Sequence, residues 1–386
     1  MKNLFLTLVL VFMFGCGSNS SSTNEQESST SFELLKTVDI TQKLSIEANS
    51  SKVSRPDVVS IGDELYLAYS IITQRNHYLV RIKPDLDLTL VKSTPLELFS
   101  GYHDFSVDIR VSKVNNRLWY AFEDNKFGEV LEDTHFLNAA WYDDSINIIG
   151  QQTDITIGLI TTIPGAFSVN PNDITLSNPE ATDDPTPFYH NNSYYIFTRA
   201  WSGWIDEFTT NSKHHVRVYD ASFTKIDDFV LDLSSLVPDK TLSQNTIIEI
   251  NSQIYLIGGF YNKRDDIQGG SAIYAIPLAD DLKTSNGDKI ILLDESGKWF
   301  HKTTAAKVYN GYLYLLYSEL SSGESTQNIA VFDVSSNFAL TKDIEISRIA
   351  AGGIAANHAT FEIINDKLYI FYPETDERIF VKIFSL

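Results

Sequence analysis

The sequence predicts an all-β protein, a six-bladed β-propeller of four-stranded antiparallel blades whose last blade is closed by an N-terminal strand. Three observations carry this: a motif that aligns six times without a gap, further strand-like segments after each copy, and chain ends that complement one another. The motif is a short β-prone run, a polar turn and an aromatic-rich β-prone run. Its copies are RPDVVSIGDELYLAYS from Arg55, DIRVSKVNNRLWYAFE from Asp108, DPTPFYHNNSYYIFTR from Asp184, QNTIIEINSQIYLIGG from Gln244, TTAAKVYNGYLYLLYS from Thr303 and HATFEIINDKLYIFYP from His358. The anchoring aromatics are Tyr66, Trp119, Tyr195, Tyr255, Tyr314 and Tyr369, spaced by 53, 76, 60, 59 and 55 residues. Alternating apolar residues on either side of Gly, Asn and Asp turns read as hairpins. Repetition at this period marks units that bury their faces only against one another.

Segments such as HYLVRIKPDLDLTLVKS, HHVRVYDASFTKIDDFVLDL, SAIYAIPLADDL and NIAVFDVSSNFALTKDIEI follow the hairpins, giving about four strands per unit. Radial repetition of such units is a propeller. After the sixth hairpin only RIFVKIFSL remains, one strand short, while SFELLKTVDI precedes the first unit and can supply the missing strand. The long second spacing leaves room for a seventh blade within residues 133–182. Its extra residues, LITTIPGAFSVNPNDITLSNPEATD, run up to Asp183 and suit either a rim loop over the mouth or a purely structural insertion.

The body spans residues 32–386. Before it, Lys2 and the apolar run Leu4 to Phe14 read as an export signal over residues 1–15, too short to span a bilayer. Met13-Phe14-Gly15-Cys16 resembles a bacterial lipobox, with Met13 and Phe14 in place of the usual Leu and small residue. The resemblance implies lipidation of Cys16, the sole cysteine of the chain. Residues 16–31 are Ser-rich with no apolar residue to join a core, so they are expected to form a flexible tether. Gly17 after the cysteine, by similarity to Gram-negative lipoproteins, implies an outer-membrane anchor in the cell envelope. A net charge of -20 argues against nucleic acid, which a polyanion repels.

The first residue of each copy is polar although the strands they open are largely apolar: Arg55, Asp108, Asp184, Gln244, Thr303 and His358. In a propeller the inner strands start at one face, so these side chains are expected to ring one mouth of the central channel. Two acids, an arginine, a histidine and an amide converging there suit a polar ligand held by several directed hydrogen bonds. Solvation of strand starts accounts for polar residues equally well. Arg110, Arg199 and Trp201 are expected at the same mouth, the tryptophan as a flat platform for a sugar ring. His214 and His215 are adjacent on a strand, so they diverge and are read as ordinary strand residues rather than a metal pair. The carboxylates of Asp108, Asp183 and Asp184 suit a hard cation such as calcium. No loop has a calcium-binding spacing, so no metal is assigned. Nucleophile-elbow, zinc-protease and phosphate-loop motifs are absent from the sequence.

The hairpin DDPTPFYHNNSYYIFTRA resembles the blade-opening motif of family 43 glycoside hydrolases, in which an Asp before Pro starts an inner strand. The resemblance implies a propeller glycosidase with Asp184 as base and Asp108 as second carboxylate. No matching acid is evident, Glu123 and Glu319 being the nearest candidates. Sialidases offer a six-bladed comparison, but only LLDESGKW (292–299) approaches their repeated turn motif. Three functions therefore fit: a membrane-tethered lipoprotein binding a glycan or other polar small ligand at the mouth, a glycoside hydrolase using Asp108 and Asp184, and a scaffold for another envelope protein. The missing acid favours the first.

Overall fold

The structure is a computed structural model describing residues 32–44, 53–71, 76–96, 107–114, 117–125, 135–142, 148–152, 180–202, 213–220, 225–238, 241–261, 271–295, 299–321, 324–350, 359–375 and 378–386. The export signal, Cys16 and the tether lie outside the described residues. So do residues 153–179 of the long insertion and His358. No helix among the described residues is long and apolar enough to cross a membrane.

Among the described residues, twenty-four strands follow one another. After β1 (Glu33–Asp39), the first repeat supplies β2 (Val53–Ile61), β3 (Glu64–Ile71), β4 (Asn76–Ile82) and β5 (Leu90–Leu96). The second supplies β6 (Val107–Val114), β7 (Arg117–Asn125), β8 (His135–Tyr142) and β9 (Ile148–Gln152). The third supplies β10 (Glu180–His190), β11 (Ser193–Ser202), β12 (Lys213–Tyr219) and β13 (Lys225–Asp232). The fourth has β14 (Thr241–Ile250), β15 (Gln253–Tyr261), β16 (Ser271–Leu278) and β17 (Ile290–Glu295). The fifth has β18 (Trp299–Tyr309), β19 (Tyr312–Ser321), β20 (Glu324–Asp333) and β21 (Ala339–Ala350). The chain ends with β22 (Thr360–Ile364), β23 (Lys367–Thr375) and β24 (Arg378–Ser385).

Each repeat is an antiparallel meander, and the inner strands β2, β6, β10, β14, β18 and β22 lie beside one another in turn, with β22 returning to β2. The fold is an all-β propeller of four-stranded antiparallel blades. The expected six separate blades are corrected to five: among the described residues four sheets have four strands and one has eight. The physical reason is a parallel bridge between Gln244 of β14 and Lys302 of β18, which joins the fourth and fifth repeats through their inner strands.

The hairpins form where the polar turns predict them. Asn191 and Asn192, Asn251 and Ser252, Asn310 and Gly311, and Asn365 and Asp366 all adopt positive φ. Two left-handed residues twist a hairpin in the sense its strands require, and Asn, Asp and Gly tolerate that conformation best. The core lies between neighbouring sheets. One layer interleaves Val58, Leu65 and Leu67 with Phe371, Val381 and Ile383, and another joins Leu313, Leu315 and Phe332 to Ile257 and Ile273. Strands covered on both faces lose the usual alternation, so β16 is buried along its whole length. Of the anchoring aromatics, Tyr66, Tyr314 and Tyr369 are wholly buried and Tyr195 and Tyr255 are half-buried.

The ends close the ring. β1 pairs antiparallel with β24 from Glu33 opposite Ser385 to Asp39 opposite Phe380. Beyond it the Ile40 amide donates to the Ile379 carbonyl (3.1 Å) and the Ile379 amide donates to Thr41 Oγ1 (3.1 Å). Ile40 and Leu44 are buried against the first repeat, and the Phe32 ring stacks 6.1 Å from Tyr314.

Candidate functional site

Four of the six aligned polar positions, Arg55, Asp108, Asp184 and Gln244, fall at an irregularity of the backbone. In the first repeat Asp57 pairs with Ala68 and Ser54 with Ser70, so Arg55 and Pro56 together oppose Tyr69. In the second, Asp108 and Ile109 oppose Phe122. In the third, Asp184 and Pro185 oppose Thr198. In the fourth, Ser243 and Gln244 oppose Gly259. The fifth has extra residues at His301 and Thr304, on either side of Lys302 and Thr303. A bulge of this kind bends the strand, breaks the ladder locally and re-aims a side chain. Its recurrence at one level defines a mouth where Arg55, Asp108, Asp184 and Gln244 sit on bulged backbone. Those four side chains lie outside what the structure describes, as do those of Arg110, Arg199 and Trp201. Arg110 pairs through its backbone with Ala121, next to the second bulge. Arg199 pairs with Asp183 and Trp201 with Ala181, which places both on the mouth end of β11. The bulge itself was not legible in the sequence.

The core changes character toward this end. Buried polar side chains concentrate there: Asp57, Thr186, His214, Asn245, Ser271, Ser318, Ser325 to Asn328, and Thr360. The opposite ends of the same strands carry Ile250, Leu278, Leu313, Phe332 and Ile364. Burying polar groups costs stability unless each is hydrogen-bonded. Arg217 of β12 and Glu362 of β22 are buried further along their strands, so the polar groups cluster toward this end without being confined to it.

Several of these residues join neighbouring repeats, and sequence reasoning missed them. Thr360 Oγ1 of β22 donates to the buried Asp57 carboxylate of β2 at 2.9 Å. Thr186 Oγ1 of β10 donates to the Asn245 carbonyl of β14 at 3.1 Å. The Asn245 amide nitrogen lies 3.2 Å from Nε2 of His214, which is wholly buried. Further from the mouth, Glu362 Oε2 accepts from the Ser60 amide (2.9 Å) and from Lys307 Nζ (2.8 Å), tying the first and fifth repeats to the last. Tyr69, opposite the Arg55–Pro56 bulge, donates to the Leu44 carbonyl at 2.8 Å, and burial holds its phenol well above the ordinary tyrosine range. Asp57 was open to detection, since it stands two residues after Arg55 in the first motif. His214 offered only strand alternation, which does not reveal a partner from another repeat.

Of the proposed acids, Glu319 is half-buried and pairs through its backbone with Phe300 and Thr326, while the side chain of Glu123 lies outside those described. Among the described residues no group of three or more His, Cys, Asp or Glu side chains could hold a metal ion. The carboxylates of Asp108, Asp183 and Asp184, to which calcium would go, are not among them.

No protein-family model matches the chain, and no curated protein sequence does. Solved structures do match. An α-L-arabinanase of Penicillium chrysogenum complexed with arabinobiose aligns over 92% of this chain and 96% of that one, at 8% identity and a TM-score of 0.57. An exo-1,5-α-L-arabinanase from a bovine ruminal metagenomic library covers 78% of this chain and 98% of its own (10% identity, TM-score 0.45). A family 43 enzyme from Xanthomonas citri complexed with xylose covers 89% and 91% (11% identity, TM-score 0.43). The protein thus belongs to the class of all-β propellers. In particular it shares the fold of the Penicillium arabinanase.

Proposed function

We propose that the protein binds a glycan at the propeller mouth and is held in the cell envelope by a lipid on Cys16, in the outer membrane. The observation that carries the reading is the bulge repeated beneath Arg55, Asp108, Asp184 and Gln244. Strands that re-aim different polar side chains at one level supply the convergent donors and acceptors a polyhydroxylated ligand requires. Arg110 and Arg199 add charge, His358 adds an imidazole for hydrogen bonding, and Trp201 adds an aromatic face for the apolar side of a sugar ring. The fold shared with an arabinanase complexed with arabinobiose supports the same reading.

Hydrolysis is the second reading, favoured by Asp108 and Asp184 standing at the same bulge position in successive repeats. Two carboxylates about 5 Å apart would hydrolyse with retention, and about 6.5–9.5 Å apart with inversion. Incubating protein lacking residues 1–17 with linear arabinan, xylan and galactan tests both. Retention of a polysaccharide without products supports binding. Products that vanish in Asp184→Asn make the protein a hydrolase. Neither binding nor products would sink both readings and leave a protein-binding rim.

A further inference from the structure

Around the Asp184–Pro185 bulge the described contacts form a closed circuit. Asp183 of β10 pairs with Arg199 of β11, and Arg199 pairs with His214 of β12. The His214 ring meets the Asn245 side chain of β14, and the Asn245 carbonyl accepts from Thr186, which follows the bulge on β10. The three side chains that complete the circuit are 0% (His214), 3% (Asn245) and 6% (Thr186) exposed. Asn245 also directly follows Gln244, whose backbone bridges to Lys302. One buried histidine therefore braces two bulges, those of the third and fourth repeats.

We propose that His214 is a positioning residue for the mouth, holding the backbone that presents Asp184 and Gln244 at a set separation through Asn245 and Thr186. Being wholly enclosed, it does not touch a ligand itself. The proposal rests on the reading of the mouth as a glycan site. Small displacements of a binding constellation matter because each directed hydrogen bond is sensitive to distance and angle.

The test uses Thr186→Val, which removes one hydroxyl with little change of shape, and His214→Leu beside His214→Gln, which keeps a polar group against Asn245. Thr341→Val is the control, since it deletes a comparable bond, from Thr341 Oγ1 to the Val331 carbonyl (2.9 Å), on β21. Amide hydrogen exchange of the full chain should accelerate at residues 180–186 and 242–246 by about fivefold to tenfold in Thr186→Val, the loss of one hydrogen bond. It should also accelerate in His214→Leu, recover in His214→Gln and stay unchanged in Thr341→Val. Unchanged exchange at those segments, or a uniform rise over all strands, overturns the proposal. Retardation in gels containing linear arabinan, xylan or galactan separates the two ideas. Faster exchange with no retardation of even the unaltered protein leaves the brace standing and removes the glycan reading. Retardation that Thr186→Val leaves intact removes the brace and keeps the glycan reading.

Discussion

Glu362 shows how much one side chain can contribute to this ring. Its carboxylate is 3% exposed and receives the Ser60 amide, Lys307 Nζ and, at Oε1, the Ile363 amide (2.9 Å). Removing a buried acceptor strands its donors, and the cost is set by their desolvation rather than by the net worth of the bonds. Lys307 remains about a third exposed, so its charge can rehydrate and the loss falls below that of a fully buried pair. Glu362→Leu should therefore lower stability by about 2–3 kcal/mol, and Glu362→Gln, which keeps an acceptor, by less. Equilibrium urea unfolding of the two variants checks this, and equal losses would mean that charge rather than hydrogen bonding carries the contact. Nothing local in the sequence announces Glu362, because its partners lie 302 and 55 residues away.

The hairpins were legible because their information is local. Alternation of apolar residues and a left-handed Asn or Gly pair fix a strand, a turn and a strand within sixteen residues, as at Lys307 to Tyr314. Complementary ends were legible for the same reason: β1 reads as a strand with no partner nearby. Register irregularities were not, since Arg55–Pro56 or Asp184–Pro185 becomes a bulge only by how its strand meets another. The joining of the fourth and fifth repeats at Gln244 and Lys302 depends on the approach of two strands nearly sixty residues apart. Closure by β1 carries its own prediction. Deleting residues 1–44 removes the pairing with β24 together with buried Ile40 and Leu44, each worth about 1.5–3 kcal/mol. The bared edge of β24 is a template for association. Size-exclusion chromatography should give aggregated or unfolded protein, whereas deletion of residues 1–31 should leave a folded body. A monomer with an unchanged melting temperature after the longer deletion would contradict closure by β1.

At the scale of the whole molecule, the tyrosine-rich core sets an alkaline limit. Burial, with Asp85 near Tyr369, Glu374 near Tyr372 and other phenols near Tyr314, pushes these three up to about 12 from an ordinary 10.0. Tyr69 and Tyr219 lie higher still, again through burial. Between those values the folded chain holds protons that the unfolded chain has released, so stability falls as pH rises through that interval and is unaffected by these groups below it. Phenolate absorbance should accordingly rise in two stages, exposed tyrosines first and the buried ones only with loss of folded structure. A single smooth titration of all 19 tyrosines with the fold intact would contradict the burial described.

The polar end of the core and the recurrent bulges meet in the proposal that the mouth is a glycan site. The most direct measurement is affinity electrophoresis of the chain lacking residues 1–17 in linear arabinan, xylan and galactan, with Asp184→Asn and Trp201→Ala alongside and melting temperatures taken for each. The account predicts retardation by at least one polysaccharide, weakened about tenfold in both variants, the loss of roughly 1.4 kcal/mol of binding, with melting temperatures unchanged. Equal retardation of all three proteins, or none of any, would contradict it.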